Sequence, residues 1–214
     1  MSADSIPDRS SELVTLAGPG TAQLRVLGSR FLALAQPIVS EQEVAQRISR
    51  REREYHDATH HCFASILGPD RREQSSDAGE PRGTAGLPIL RAIEAAKLTN
   101  TLVIVTRYFG GKKLGKGNLA RAYGTCAGEA LSAAPKKTIR QGRKLLVKIP
   151  RAETGKLYAV AHRAGWEIAS RESKGETCFE VRIPFFDSER ASQDILDALA
   201  GRAEVMEDGL WTSS

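Results

Sequence analysis

The chain has 214 residues, 41% of them hydrophobic and 27% charged, which fits one large or two small soluble globular domains with a sizeable core. No uncharged apolar run approaches the ~18 residues of a membrane span, and the opening MSADSIPDRSSELVTLAGPG has acids where a signal peptide carries lysines. The net charge is only +5, but residues 95–151 hold thirteen basic residues and one acid, Glu129, while the flanking parts are net acidic.

In chain order, residues 1–20 are expected to be a flexible tail. Strands follow at Thr21–Leu27 and Arg30–Ile38, hinged at Gly28-Ser29 as a hairpin. Ser40 and Glu43 have the spacing of a capping box, so a helix starts there, with Val44, Ile48 and Tyr55 on one stripe. The run RISRREREY is expected to face solvent, with Arg50 and Glu54 paired one turn apart. His61–Leu67 reads as a strand, Gly68–Gly86 as a loop, and Pro88 as the first turn of a helix ending near Lys97. Thr101–Thr106 is a continuous apolar run, hence a strand covered on both faces. A small-residue helix is expected over Leu119–Ala133.

The polar PKKTIRQ, residues 135–141, reads as a linker that separates a first domain over 21–135 from a second over 141–210. The second domain has strands at Arg143–Ile149, Trp166–Arg171, Thr177–Ile183 and Ala203–Glu207. Helices are expected at Glu153–Ala164 and Asp187–Ala200, with a hairpin turn at Ser173-Lys174-Gly175. That order, βαββαβ, is the ferredoxin-like arrangement. The chain as a whole is therefore expected to be α+β in two domains.

The stretch VTRYFGGKKLGKGN, residues 105–118, carries the sharpest chemical signal. It comes within one residue of a phosphate-binding loop, G-x-x-x-x-G-K-[ST], but Gly117 stands where the hydroxyl that holds magnesium is required. Nucleotide hydrolysis is thereby disfavoured. What remains is a glycine turn leading into a helix that Asn118 is expected to cap, whose unpaired N–H groups and positive dipole end favour an anion. The expected anion or nucleic-acid set is Arg107, Gly110, Gly111, Lys112, Lys113, Gly115, Lys116, Gly117, Asn118 and Arg121. A plain glycine turn with solvated lysines is the alternative. Together with the basic block, this set points to a polyanionic partner.

Two further constellations stand near it. In SSDAGEPRGTAG, residues 75–86, Asp77 and Glu80 read as paired carboxylates, as a tight loop's side chains, or as partners of the lysines across one cleft, with Arg82 and Thr84 beside them. In HDATHHC, His60 and His61 are adjacent on a strand and so point to opposite faces, which argues against a zinc pair and for hydrogen-bonding roles. Cys62, Cys126 and Cys178 are far apart with no C-x-x-C pair, which fits a reducing cytoplasm. Cys62, in an apolar strand, reads as buried and inert. No metal or cofactor is expected.

The motifs GSRFLALAQPI, DATHHCFASILG, SSDAGEPRGTAGLPIL and VTRYFGGKKLGKGNLARAYG, in this order over Leu24–Ala133, resemble the Impact/YigZ family. That resemblance implies a ribosomal-protein-like βαβ domain of the kind found as domain IV of elongation factor G, followed by a ferredoxin-like domain. It implies a cytoplasmic, non-catalytic protein that binds RNA or ribosomes, or a protein partner in translation control, in regulating translation under stress. The family's second acid is replaced by Ala78, a small residue by Arg82 and a glycine by Asn118, all of which weaken metal chemistry and strengthen anion binding. An enzyme acting on a phosphorylated or nucleotide ligand and a protein-interaction adaptor remain as alternatives.

Overall fold

The computed structural model describes residues 12–68, 70–173 and 176–212. The chain divides into two compact units, Val14–Thr138 and one built from Ile139 onward together with Glu12 and Leu13. Residues 1–11 of the expected tail lie outside the described residues. Glu12–Leu16 form strand β1, which the sequence reading did not anticipate. Its short apolar patch is held by a bridge from Val14 to Leu98 and by Thr99 N–H donating to the Val14 carbonyl.

The first unit is a five-stranded antiparallel sheet with helices on both faces. Its strands are β2 (Gly20–Val26), β3 (Ser29–Pro37), β4 (His60–Leu67), β5 (Arg72–Ser76) and β6 (Thr101–Tyr108), in the order β2-β3-β6-β4-β5. The β2–β3 hairpin turns through Leu27 and Gly28, one residue earlier than expected, both at positive φ (46° and 85°). Two positive-φ residues in a two-residue loop match the right-handed twist of the flanking strands. The segment expected as loop from Gly68 contains β5 as an edge strand paired to β4. Its polar sequence, REQSS, gave no apolar alternation to reveal it.

Helix α1 (Glu41–Glu54) covers one face of the sheet, placing Val44 and Ile48 against Leu102, Ile104, Leu67 and Phe63. Ser40 Oγ accepts from Glu43 N–H at 3.2 Å, while the Glu43 carboxylate reaches back to the Val39 N–H at 2.8 Å. Helices α2 (Gly86–Ala95) and α3 (Lys116–Ala133) cover the other face. On α3 the buried residues Leu119, Ala122, Tyr123, Cys126, Ala127, Ala130 and Leu131 repeat at three and four, a stripe of 3.6-residue period. Strand β6 alternates between the two cores, Val103 and Val105 toward α2 and α3, Leu102 and Ile104 toward α1, which explains its unbroken apolar run.

The charged run on α1 does not wholly face solvent. Arg51 is buried, donating from Nε to Thr106 Oγ1 at 3.2 Å with its guanidinium 4.0 Å from the Tyr55 ring. Glu54 takes Arg51 as its partner at 3.5 Å, where Arg50 was expected.

The second unit holds β7 (Lys136–Ile149), α4 (Thr154–Ala164), β8 (Glu167–Ser173), β9 (Glu176–Pro184), α5 (Ser188–Ala198) and β10 (Glu204–Thr212). Its strands pair antiparallel in the order β8-β9-β7-β10, the ferredoxin-like order. Leu145, Val147 and Ile149 of β7 and Phe179, Val181 and Ile183 of β9 meet Leu157, Ala161, Ala191, Ile195 and Leu199 of the helices. The expected turn at 173–175 lies partly outside the described residues. The expected linker at 135–141 is the first half of β7. Its sequence there, KKTIRQ, has no apolar run to reveal a strand. Among the described residues no helix is long and apolar enough to cross a membrane.

Candidate functional site

The predicted site residues all lie in the first unit, at the end of the sheet where β6 passes into the glycine loop. They fall into an exposed set and a buried set.

The exposed set is the loop from Gly110 to Asn118 and the first turns of α3. Gly110 is fixed by close packing, since a Cβ there would stand 1.9 Å from the Gly28 carbonyl carbon. Gly111 and Gly115 have φ of 82° and 77°, a conformation that strains other residues. Gly115, not Asn118, is the N-cap, so α3 begins three residues earlier than expected. Lys116 and Gly117 are poor openers for a helix, but Leu114 and Leu119 occupy the two positions of a hydrophobic staple and are both buried in one core. Asn118 lies inside the first turn, donating to the Leu114 carbonyl at 3.1 Å and accepting from Arg121 at 3.2 Å.

The N-terminus of α3 therefore has no side-chain cap and no acid in its first turn. The first intrahelical bond is Leu119 N–H to the Gly115 carbonyl, which leaves the amides of residues 116–118 without an acceptor in the helix. Lys112, Lys113 and Lys116 are exposed around this end and make no ion pair among the described residues. Cations beside a positive helix end are each unfavourable by roughly 0.3–1 kcal/mol when exposed. An anion relieves both terms at once.

The neighbouring helix shows the same physics satisfied internally. Asp77 places Oδ1 2.9 Å from the N–H groups of Ala85 and Gly86 and Oδ2 2.7 Å from that of Gly83, at the start of α2. Burial raises the Asp77 carboxyl, but the three amide hydrogen bonds outweigh it and hold the group below the usual carboxylate range. Asp77 is thus the built-in anion of α2 and not a partner of the lysines.

The buried set centres on Glu80 and Arg107, whose side chains are 4% and 6% exposed. Arg107, expected in the anion-binding set, instead shares the side of Val103 and Val105 toward the α2–α3 face and pairs with Glu80 Oε1 at 2.5 Å. It also donates to Ser29 Oγ at 3.2 Å, and Ser29 Oγ accepts from Gly110 N–H at 3.2 Å, so the pair is linked to the glycine loop. The Arg107 Nε is buried without an acceptor among the described residues. Tyr123 donates to Glu80 Oε1 at 2.8 Å. Burial and its neighbours Cys62 and Glu80 raise the Tyr123 hydroxyl pKa, and burial pushes the Cys62 thiol up to about 12. Neither is a nucleophile at neutral pH.

His60 and His61 do separate to the two faces. His60 sits beside Glu80, Nε2 to Oε1 3.9 Å, with Nδ1 2.8 Å from the Ala78 carbonyl. His61 lies on the α1 side against Thr106, where burial lowers its pKa. Arg82 is exposed, and Thr84 is buried, its hydroxyl donating to the Pro81 carbonyl at 2.6 Å. Among the described residues no group of three or more His, Cys, Asp or Glu side chains is arranged to hold a metal ion. The basic block of the sequence is not one patch. Four of its cations surround the start of α3, Arg107 is buried, and Arg143 and Lys148 pair with Glu207 and Glu204 in the second unit.

Residues 27–131 match the Impact N-terminal domain. An IMPACT family member of Thermus thermophilus is 42% identical over 157 residues, 73% of this chain and 84% of that protein. IMPACT family member YvyE of Bacillus subtilis is 39% identical over 119 residues, 55% of each chain. A solved crystal structure of a hypothetical protein matches 91% of this chain and 96% of its own with a TM-score of 0.65 at 23% identity, a likeness of fold.

Proposed function

The chain belongs to the Impact family, and from that premise we propose that it is a non-catalytic RNA-binding protein that acts on the ribosome or its RNA in regulating translation. The observation that carries this reading is the start of α3: free amides, two glycines at positive φ, and four cations, with no acid and no cap. Such an end accepts a phosphate group by hydrogen bonding and by charge together. The lysines have no competing internal partner among the described residues, so their charge is available to a ligand. Gly117 carries no hydroxyl to hold magnesium, so the loop holds phosphate without the means to hydrolyse it.

The test is titration of a labelled single-stranded RNA, followed by fluorescence anisotropy. Replacing Lys112, Lys113 and Lys116 together by Ala weakens binding by at least about tenfold at moderate salt. The melting temperature does not fall and rises slightly, because the three exposed, unpaired cations stand at a positive helix end. Co-sedimentation with ribosomes is lost in the same variant. Retained affinity in a folded triple variant overturns the reading.

A further inference from the structure

The buried set beside the glycine loop is more than a packed ion pair. Glu80 has only 4% of its side chain exposed, yet both of its hydrogen bonds, from Arg107 and Tyr123, go to Oε1. Oε2 has no donor among the described residues. Oε2 is not wholly shut off from solvent, so a water or a ligand can supply the donor it lacks.

His60 is the group beside it that reaches solvent, with 20% of its side chain exposed. Its Nδ1 lies 2.8 Å from the Ala78 carbonyl, which can only accept, so Nδ1 carries the proton. When the ring carries only that proton, Nε2 is a lone pair 3.9 Å from Glu80 Oε1. Two acceptors therefore stand together with no donor between them. Phe109 is tied to the neighbours of this pair: its amide donates to Thr59 Oγ1 at 3.0 Å, one residue before His60, and the Arg107 guanidinium that binds Glu80 stands 5.5 Å from its ring. Phe109 is 47% exposed.

A bare carboxylate would repel a nucleic-acid backbone, but Arg107 neutralises this one while leaving Oε2 able to accept. The sugar donor that distinguishes RNA from DNA is the 2′-hydroxyl. We propose that Glu80 and His60 form an acceptor pair for a ribose 2′-hydroxyl, with the base laid on Phe109 and a neighbouring phosphate at the start of α3. The site thereby selects single-stranded RNA over DNA. This rests on the RNA reading above and narrows it to one contact.

The experiment compares oligouridine with oligodeoxyuridine of equal length, which share the base and differ at the 2′ position. Wild-type protein binds the RNA about fivefold tighter, the scale of one hydrogen bond. Glu80→Gln and His60→Phe bring the two affinities together, and His60→Phe, at a partly exposed position, keeps the fold intact by circular dichroism. Equal wild-type affinities, or a preference retained in folded His60→Phe, overturn this inference and leave the polyanion reading standing. A wild-type protein that binds neither oligonucleotide overturns both.

Discussion

At the residue scale, the decisive distinction is between charges the protein uses internally and charges it leaves free. Asp77, Glu80 and Arg107 are used: one carboxylate closes the start of α2, and the other two form a buried pair. Asp77→Ala removes the carboxylate that accepts from three amide N–H groups and lowers stability by about 1–2 kcal/mol in urea unfolding. Because the amides hold the folded carboxyl below its ordinary range, its contribution is fully present above an unfolded pKa of about 4 and is lost as pH falls through the folded value. The stability gap between wild type and Asp77→Asn therefore closes on acidification below about pH 4, which a series of melts across that range reads directly. Parity along TLVIVTRY already placed Arg107 on the same side as Val103 and Val105, so its inward direction was legible. Its partner was not, because Glu80 arrives from a loop 27 residues away and only the fold brings them together.

At the element scale, α3 is the part that matters most. Residue type argued for Asn118 as its cap, since Lys116 and Gly117 are weak helix openers, but the Leu114–Leu119 staple decides the start. Tertiary burial of two leucines overrides the propensity of two residues. That spacing was present in the sequence and is the signal that would have found the true cap. The consequence is that Gly117 sits in the first turn with ordinary φ and with no atom within 4 Å of where a Cβ would stand. Nothing in the fold requires a glycine there. Gly117→Ala leaves the melting temperature unchanged or raises it slightly, yet weakens RNA binding by about fivefold by crowding an approaching phosphate. A variant equal to wild type in both measurements separates the glycine from ligand binding.

At the scale of the whole molecule, the periodic elements and the order of the second unit were readable because apolar spacing encodes them. The edges were not: β1, β5 and the first half of β7 are short or polar strands whose pairing is a tertiary event. The basic block illustrates the same limit for charge. One contiguous run of sequence is divided between two units and partly neutralised, so its +12 balance is not a single field. Of the block's cations without an ion pair among the described residues, Lys112, Lys113, Lys116 and Arg121 gather at the start of α3, while Lys97, Lys136, Lys137, Lys144 and Arg151 lie elsewhere. The most direct measurement is the salt dependence of RNA affinity for wild type and for the Lys112, Lys113 and Lys116 triple alanine variant. The wild-type plot of log K against log salt falls linearly, and removing the three lysines flattens its slope by about 2. An unchanged slope would contradict the account, because binding would then run through another surface.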